Sequence, residues 1–437
     1  MTRWLESFFD LQRHHSTVRG EIVAGLTTFF TMSYIVAVNP AILKTAGIPV
    51  EASLTATILT AMFGTLLMGL YANRPFAIGP YMGENAFIAF TVVHVLGYSW
   101  QSALGAVFVA GILFIVLTMF RLRRWMVEAI PVTLRYSYAV GIGLFLTFIG
   151  LNQTGIVALG FPGAPVKPGH LTSAPALLGV FGFLLITALT IRKFPAAILT
   201  SILVTAILSF VLRVSPAPSA WVGAPPSLRP IFFQLDLRTI WTWGFFPVVL
   251  TILIMAFVDT MGTLIGVSAR AGFLDEAGNL PQIERPMLAD ALATTFAAIV
   301  GTTTSGAYIE SATGVEAGGR TGLTAVVVAL CFLCTLFFAP FIAAIPPQAY
   351  APALIFVGLL MLTPITRIPF HDLSELVPAF GVIALMAFTY NVGIGMTAGF
   401  VLYPFCKLIS GRSHEVRPAL WALMGLSVLF FVFYPYS

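Results

Sequence analysis

The sequence predicts an all-α polytopic membrane protein of about 14 transmembrane segments, organised as two inverted seven-span repeats. Three observations predict it. The 437-residue chain is 58% hydrophobic and only 9% charged, with a mean hydropathy of +0.96. Soluble domains carry about 25% charged residues, so this chain has too little charge to cover a globule with polar surface. Apolar runs of about 18–22 residues recur from end to end, the length that crosses about 30 Å of hydrocarbon, and helices satisfy the backbone of such runs internally. Finally, the chain faintly repeats itself. Ala129-Ile130-Pro131 opens a run containing Gly141-Ile142-Gly143-Leu144, and Ala344-Ile345-Pro346, about half the chain later, opens one containing Val357-Gly358-Leu359-Leu360.

In order, the predicted spans are 20–42, 51–71, 82–96, 101–120, 132–151, 173–191, 194–212, 244–267, 286–303, 307–318, 321–344, 349–365, 376–391 and 393–411. Segments 82–96 and 307–318 are too short and too glycine-rich for full spans. The stretch 418–435 reads as a fifteenth span or an interfacial helix. Seven spans per half is an odd number, which forces the two copies into opposite orientations. Basic residues orient the set. Arg13, Arg19, Arg121, Arg123, Arg124, Arg192, Lys193, Arg270, Arg285, Arg320, Arg367, Lys407 and Arg412 fall on one side, and loops 152–172 and 339–348 hold almost none. The N-terminus is therefore expected in the cytoplasm, with a polar segment 1–19 that lacks the pattern of a cleavable signal peptide. An external loop, 213–243, carries Arg213, Arg229 and Arg238 against the rule. Bases beside membrane ends are a topology signal, so the net charge of +5 implies no nucleic-acid partner. Cys331, Cys334 and Cys406 lie in apolar runs without a nearby His, which favours helix packing over redox or metal chemistry.

Two acids sit where a bilayer tolerates few. Asp259 lies inside the apolar run Phe245–Val267, and Glu310 inside the Gly/Ser/Thr-rich stretch Thr302–Gly319. An ionisable side chain at the centre of a membrane helix costs roughly 2.5–3.5 kcal/mol even on insertion scales, and reads by default as a substrate, ion or proton site. The two short segments supply the setting. Residues 79–87 run Gly-Pro-Tyr-Met-Gly-Glu-Asn-Ala-Phe. Pro80 lacks a donor, Gly79 and Gly83 loosen the backbone, and an extended piece is expected to turn into a half-helix near Gly83 with free N–H groups. The matching piece places Thr and Ser before Gly306-Ala307-Tyr308-Ile309-Glu310. Two short strands at the broken third and tenth spans, meeting at the midplane, would satisfy each other's backbone. Glu84, Asn85 and Glu310 would lie beside that junction. A planar ligand with ring N–H groups suits carboxylate acceptors, and Asn supplies a donor and an acceptor. Interrupted helices at matching places of inverted repeats mark secondary transporters.

Each residue also has a plain alternative. Asp259 would be a structural acid bonded to Thr260 or Thr263. Glu310 would cap the helix after it, Asn85 would be packing glue, and Glu84 would face the cytoplasmic mouth. Glu316 and Arg320 read as a surface pair, and His371, Asp372 and Glu375 as a solvated loop. There is no Walker loop, nucleophile elbow or zinc motif. No enzyme activity, cofactor or metal is expected.

At these residues the chain resembles the adenine/guanine/hypoxanthine permeases, the AzgA-like branch of the xanthine/uracil permease (nucleobase–cation symporter) superfamily. Gly25–Leu43 (GLTTFFTMSYIVAVNPAIL), Asp259–Gly266 (DTMGTLIG) and Tyr308–Val326 (YIESATGVEAGGRTGLTAV) carry the likeness. The resemblance implies a core domain formed by 20–120 and 244–344, and a gate domain formed by 121–212 and 345–437, with the base bound between them. It implies a substrate site at Asn85, Asp259 and Glu310, with proton coupling at Asp259 and Glu310; Glu84, Thr260, Tyr308, Ile309 and Ser311, beside these in sequence, complete the expected substrate site. Two departures stand out. Many relatives carry a second acid one turn before Asp259, where this chain has Ala256, and an apolar residue where it has Glu84.

The expected function is import of a purine nucleobase by proton symport, with an elevator-like movement of the core, in a cell inner membrane. The partners are the base, protons and the bilayer; a homodimer is compatible with the apolar surface. A carboxylate in a dry site holds a proton at neutral pH, so protonation of Asp259 or Glu310 would be linked to base binding. Uracil or xanthine specificity on the same fold is the alternative. A channel is less well supported, because no ring of charge lines a path.

Overall fold

Helix starts fall where the sequence supplies a cap or a proline. In the computed structural model, which describes residues 2–120, 130–161, 164–239, 242, 245–275, 280–389 and 391–433, almost every apolar run is helical. Arg121, Arg123, Arg124 and Ala129 lie outside the described residues. Helix α1 spans Thr2–Phe8. Helix α2, Val18–Met32, begins where Thr17 Oγ1 accepts from Gly20 N at 3.1 Å. The stretch expected as one span is interrupted at Ser33–Tyr34 and resumes as α3, Ile35–Thr45, with Pro40 inside it. Then follow α4, Val50–Leu70, the strand β1, Ile78–Pro80, and α5, Met82–Ala86, which runs into a π-helical stretch Phe87–Val95. Helix α6, Trp100–Met119, is capped by Ser99. Helix α7, Val132–Gln153, starts after Pro131. The loop expected after it contains a hairpin of β2, Val157–Phe161, and β3, Ala164–Pro168, which the sequence reading did not anticipate. Helices α8, Ala174–Ile191, and α9, Ala197–Val211, close the first half.

The second half opens with α10, Phe246–Ala271, stopped by Gly272 at φ +69°. Next come α11, Glu284–Val300, β4, Ser305–Ala307, and α12, Ser311–Glu316. Helices α13, Gly322–Thr335, and α14, Ala339–Ala343, follow. Then come α15, Pro347–Leu360, α16, Leu373–Phe388, α17, Val392–Ile409, and α18, Pro418–Phe433. Among the described residues, nine helical stretches are long and apolar enough to cross a membrane; α5 with its π stretch, α9, α16 and α18 are shorter. Helix α11 is a 17-residue helix carrying Glu284, Arg285 and Asp290 in its first half.

Packing joins the two halves. Helix α4 lies on α13, α6 on α11, and α7 on α15. The backbones approach through glycine, as small residues permit between membrane helices. A Cβ on Gly358 would sit 2.3 Å from Gly143 O, and one on Gly322 would overlap Gly69 O. Two polar clusters brace the ends. The buried Glu21 carboxylate accepts from Ser16 Oγ at 2.6 Å, Arg320 N at 3.0 Å, Thr324 N at 3.2 Å and Thr324 Oγ1 at 2.5 Å, tying α2 to the start of α13. Near the start of α16, Asp372 caps Ser374 N at 2.9 Å and pairs with Arg412 at 2.6 Å. The fully buried Lys407 bridges Glu375 at 2.6 Å and Glu415 at 2.7 Å. The expected solvated loop is thus an ionic cluster, because Arg412 and Lys407, distant in sequence, fold onto it. The expected Glu316–Arg320 pair does not form either. Arg320 donates to Val315 O at 2.6 Å and Gly319 O at 2.8 Å, and Glu316 meets Arg270 at 3.4 Å.

Candidate functional site

The site is built on two three-residue strands. β1 and β4 pair antiparallel, with Ile78 opposite Ala307, Gly79 opposite Gly306 and Pro80 opposite Ser305. The ladder continues through Tyr81 N to Thr304 O at 3.0 Å and Tyr308 N to Ala77 O at 2.9 Å. Two interrupted helices thereby satisfy each other's backbone inside the protein, as irregular backbone at membrane depth requires. A tyrosine follows each strand and braces the other one. Tyr81 donates to Ala307 O at 3.2 Å, and Tyr308 donates to Pro80 O. Their rings stack with centroids 6.1 Å apart and 12° between planes. Gly306 is required here, since a Cβ on it would meet the Tyr81 ring at 2.3–2.4 Å.

The strands deliver α5 and α12 to one place. Glu84 and Asn85, adjacent on α5, are both fully buried. Neither oxygen of Glu84, and neither polar atom of Asn85, has a hydrogen-bond partner. Glu84 lies against Asp259 of α10, close enough for a hydrogen bond between the two carboxyls when one carries a proton. The reading of Glu84 as a solvated mouth residue is therefore overturned: α5 begins at Met82 and turns its third residue inward. Asp259 retains accessible surface although protein surrounds it. On the same face of α10, one and two turns on, Gly262 and Gly266 leave open space in which a Cβ would touch nothing.

Glu310 occupies the N-cap position of α12 but makes no side-chain cap bond, so it does not serve as the cap that was its plain alternative. It accepts instead from Tyr34 Oη at 2.8 Å, across the interruption between α2 and α3. Ile309, beside it, is 59% exposed. The remaining expected site residues have their hydroxyls committed elsewhere. Ser311 Oγ accepts from Ala77 N at 3.0 Å, and Tyr308 braces β1. Thr260 Oγ1 donates to Asp290 Oδ2 at 2.6 Å rather than to Asp259.

Asp290 is a further buried acid beside these residues, one the sequence pattern does not single out. It is fully buried on α11, also accepts from Ala307 N at 3.2 Å, and its Oδ1 has no partner. The signal existed: an acid between Ala289 and Ala291, in the predicted span 286–303. Its closeness to Glu284 and Arg285 made it look like part of a helix end. Among the described residues no ion pair reaches Glu84, Asp259, Asp290 or Glu310. Hydroxyls, N–H groups and other carboxyls are what surround them. Such an arrangement can bind a proton between touching carboxyls and can accept N–H groups from a polar, uncharged ligand.

Residues 19–424 match the model of a permease family. The chain is 42% identical over 429 residues to the adenine permease AdeP of Escherichia coli K12, covering 98% of this chain and 96% of the relative. It is 38% identical over 440 residues to the guanine/hypoxanthine permease PbuG of Bacillus subtilis 168, covering 98% and 100%. Among solved structures, the transmembrane domain of the cyanobacterial bicarbonate transporter BicA superposes with a TM-score of 0.65 at 16% identity, covering 86% of this chain and 97% of that one. That likeness concerns the fold alone.

Proposed function

The chain belongs to the xanthine/uracil permease family, and from that premise we propose that it is a secondary active transporter importing purine nucleobases (adenine, guanine or hypoxanthine) by proton symport. The observation that carries this reading is a group of buried polar atoms gathered where two interrupted helices meet: those of Asn85 and one oxygen of Asp290 have no partner, and the Glu84 carboxyl meets only another carboxyl. Burying unpaired polar groups costs about 1–3 kcal/mol each. A protein that keeps several together, with no cation among them, is suited to partners that come and go. The base would lie between α5 and α12, with Asn85 giving a donor and an acceptor, Glu310 accepting a ring N–H, and Ile309 forming an apolar wall. Thr260, Tyr308 and Ser311 would frame the site. Two ionised carboxylates in contact repel strongly in a dry setting, so Glu84 and Asp259 would hold one proton between them, and its exchange would couple transport to the gradient.

In this reading the chain makes 14 spans in two inverted repeats. The core, 20–120 and 244–344, would carry the site across an inner membrane against the gate, 121–212 and 345–437, with the N-terminus in the cytoplasm. Two features agree with the repeat: the tyrosines bracing opposite strands, and the meeting of Gly143 with Gly358.

Uptake of labelled adenine, guanine, hypoxanthine and uracil into proteoliposomes under an imposed proton gradient tests the proposal. The expected result is saturable purine accumulation that a protonophore abolishes and excess uracil does not. Preferential uracil uptake, or non-saturable flux, would reject it.

A further inference from the structure

We propose that Tyr34 is a positioning residue for Glu310, which holds one carboxylate oxygen so that the other alone is offered to the ligand; this rests on the reading of Glu310 as a base-contacting acid. Tyr34 sits at the interruption between α2 and α3 and is 2% exposed. Its phenol donates to Glu310 Oε1 at 2.8 Å. Among the described residues, no other side chain fixes that carboxylate. Its own helix gives it no cap bond, no ion pair among the described residues reaches it, and beside its own backbone N–H the donor on it is Tyr34. A glutamate at the start of a six-residue helix otherwise has its side-chain torsions free, and freezing such torsions on binding weakens affinity.

Span one is also fastened to α12 along its length, so the phenol does not drift. A Cβ on Gly314 would fall 2.0 Å from Thr28 Oγ1 and 2.6 Å from Ala24 O. Thr31 Oγ1 meets Thr313 Oγ1 at 3.0 Å, and Tyr34 meets Glu310 at the last step. Moving up span one moves back along α12, so the interruption after Met32 places the phenol opposite the start of α12. With Oε1 engaged, Oε2 is the oxygen left for an N–H of the ligand. That favours a ligand presenting a single N–H at this point over one presenting two on a single edge.

A double-mutant cycle on purified, detergent-solubilised protein tests this, with labelled hypoxanthine as the probe and equilibrium binding as the readout. Tyr34→Phe keeps the ring and removes the donor; it is expected to weaken binding about tenfold, the scale of one hydrogen bond to a charged group. Tyr34→His, which keeps an N–H donor, is expected to bind more tightly than Tyr34→Phe, and it enters the cycle if Tyr34→Phe does not fold. Because Tyr34 acts through Glu310, Tyr34→Phe should add less than about twofold on a Glu310→Gln background, in the non-additive manner of groups in contact. A full tenfold loss on that background, or unchanged affinity of Tyr34→Phe in a protein that Glu310→Gln impairs, would overturn the positioning role. Unchanged affinity of Glu310→Gln itself would instead reject Glu310 as a base contact.

Discussion

Two fully buried glutamates in this protein have opposite surroundings. Glu21 is enclosed by donors: a serine hydroxyl, a threonine hydroxyl and the backbone N–H groups that open α13. Glu84 has none. The residue type and burial are the same, so neither distinguishes structure from function. What distinguishes them is whether the carboxylate's hydrogen bonds are already made. Glu21 uses its charge to fasten two helices, and the free N–H groups of a helix start are natural partners for it. Glu84 has both oxygens without a hydroxyl or N–H donor, Asp290 has one such oxygen, and Glu310 meets a single side-chain hydroxyl. Charge kept in that condition inside a membrane is expensive, which argues for a transient partner.

The comparison can be broken at Glu310, where the largest effect is expected. Glu310→Gln should express and fold, yet lose most base binding, because it keeps the shape and removes a charged acceptor worth roughly twice a neutral one. Wild-type affinity in that variant would show that Glu310 does not contact the base. Next comes Asp259→Asn. It should still exchange base in counterflow but fail to accumulate it against a gradient, since the titrating group is gone and the size is kept. Normal gradient-driven accumulation would remove Asp259 from the coupling step.

A smaller change is expected at Glu84, where the chain has an acid on α5 and Ala256 on α10. Glu84→Leu should alter base selectivity and the pH dependence of uptake, and Ala256→Asp in the same protein should restore them in part. Unchanged affinities, selectivity and pH profile in Glu84→Leu would leave Glu84 a bystander. The smallest effect on transport belongs to Glu21→Gln. Its amide nitrogen cannot accept the bonds one oxygen now takes, so melting temperature should fall, with a loss of about 1.5–3 kcal/mol, while the folded fraction keeps its KM for base. A raised KM at unchanged stability would place Glu21 with the acids beside the strand pair and dissolve the contrast.

The fold was legible where apolar length alone decides. Runs such as 51–71 and 101–120 became α4 and α6 because nothing interrupts them. The interruptions at 79–87 and 302–319 were readable from Gly and Pro. The one at Ser33–Tyr34 was not, since no residue there breaks a helix; Pro40 sits inside α3. Of the candidate site, the acids Asp259 and Glu310 were legible, because an acid amid apolar residues stands out. Asp290 was hidden by neighbouring charges at a helix end, and Glu84 by the lack of any sequence sign of which way it points. Hydroxyl partners were the least readable. Tyr34 and Glu310 are 276 positions apart, and Thr260 has an acid beside it in sequence yet bonds to another helix. Such choices belong to the packing of α10 on α11, which the sequence does not display locally.

The strand pairing also bears on how the protein is made. Tyr81 and the Ala307 carbonyl it braces are 226 positions apart. At about 5–20 residues per second of synthesis, the first interrupted helix waits on the order of 10–50 s for its complement. During that time Ile78 can already bond Thr65, but the partners of Gly79, of Tyr81 N and of Ala77 O do not exist, so these groups need shelter at the translocon or in water at the membrane edge. The third predicted span therefore cannot settle when it is made. Its insertion would then be completed when the second half of the chain arrives, and a ribosome stalled midway would leave a fragment with an unpaired edge.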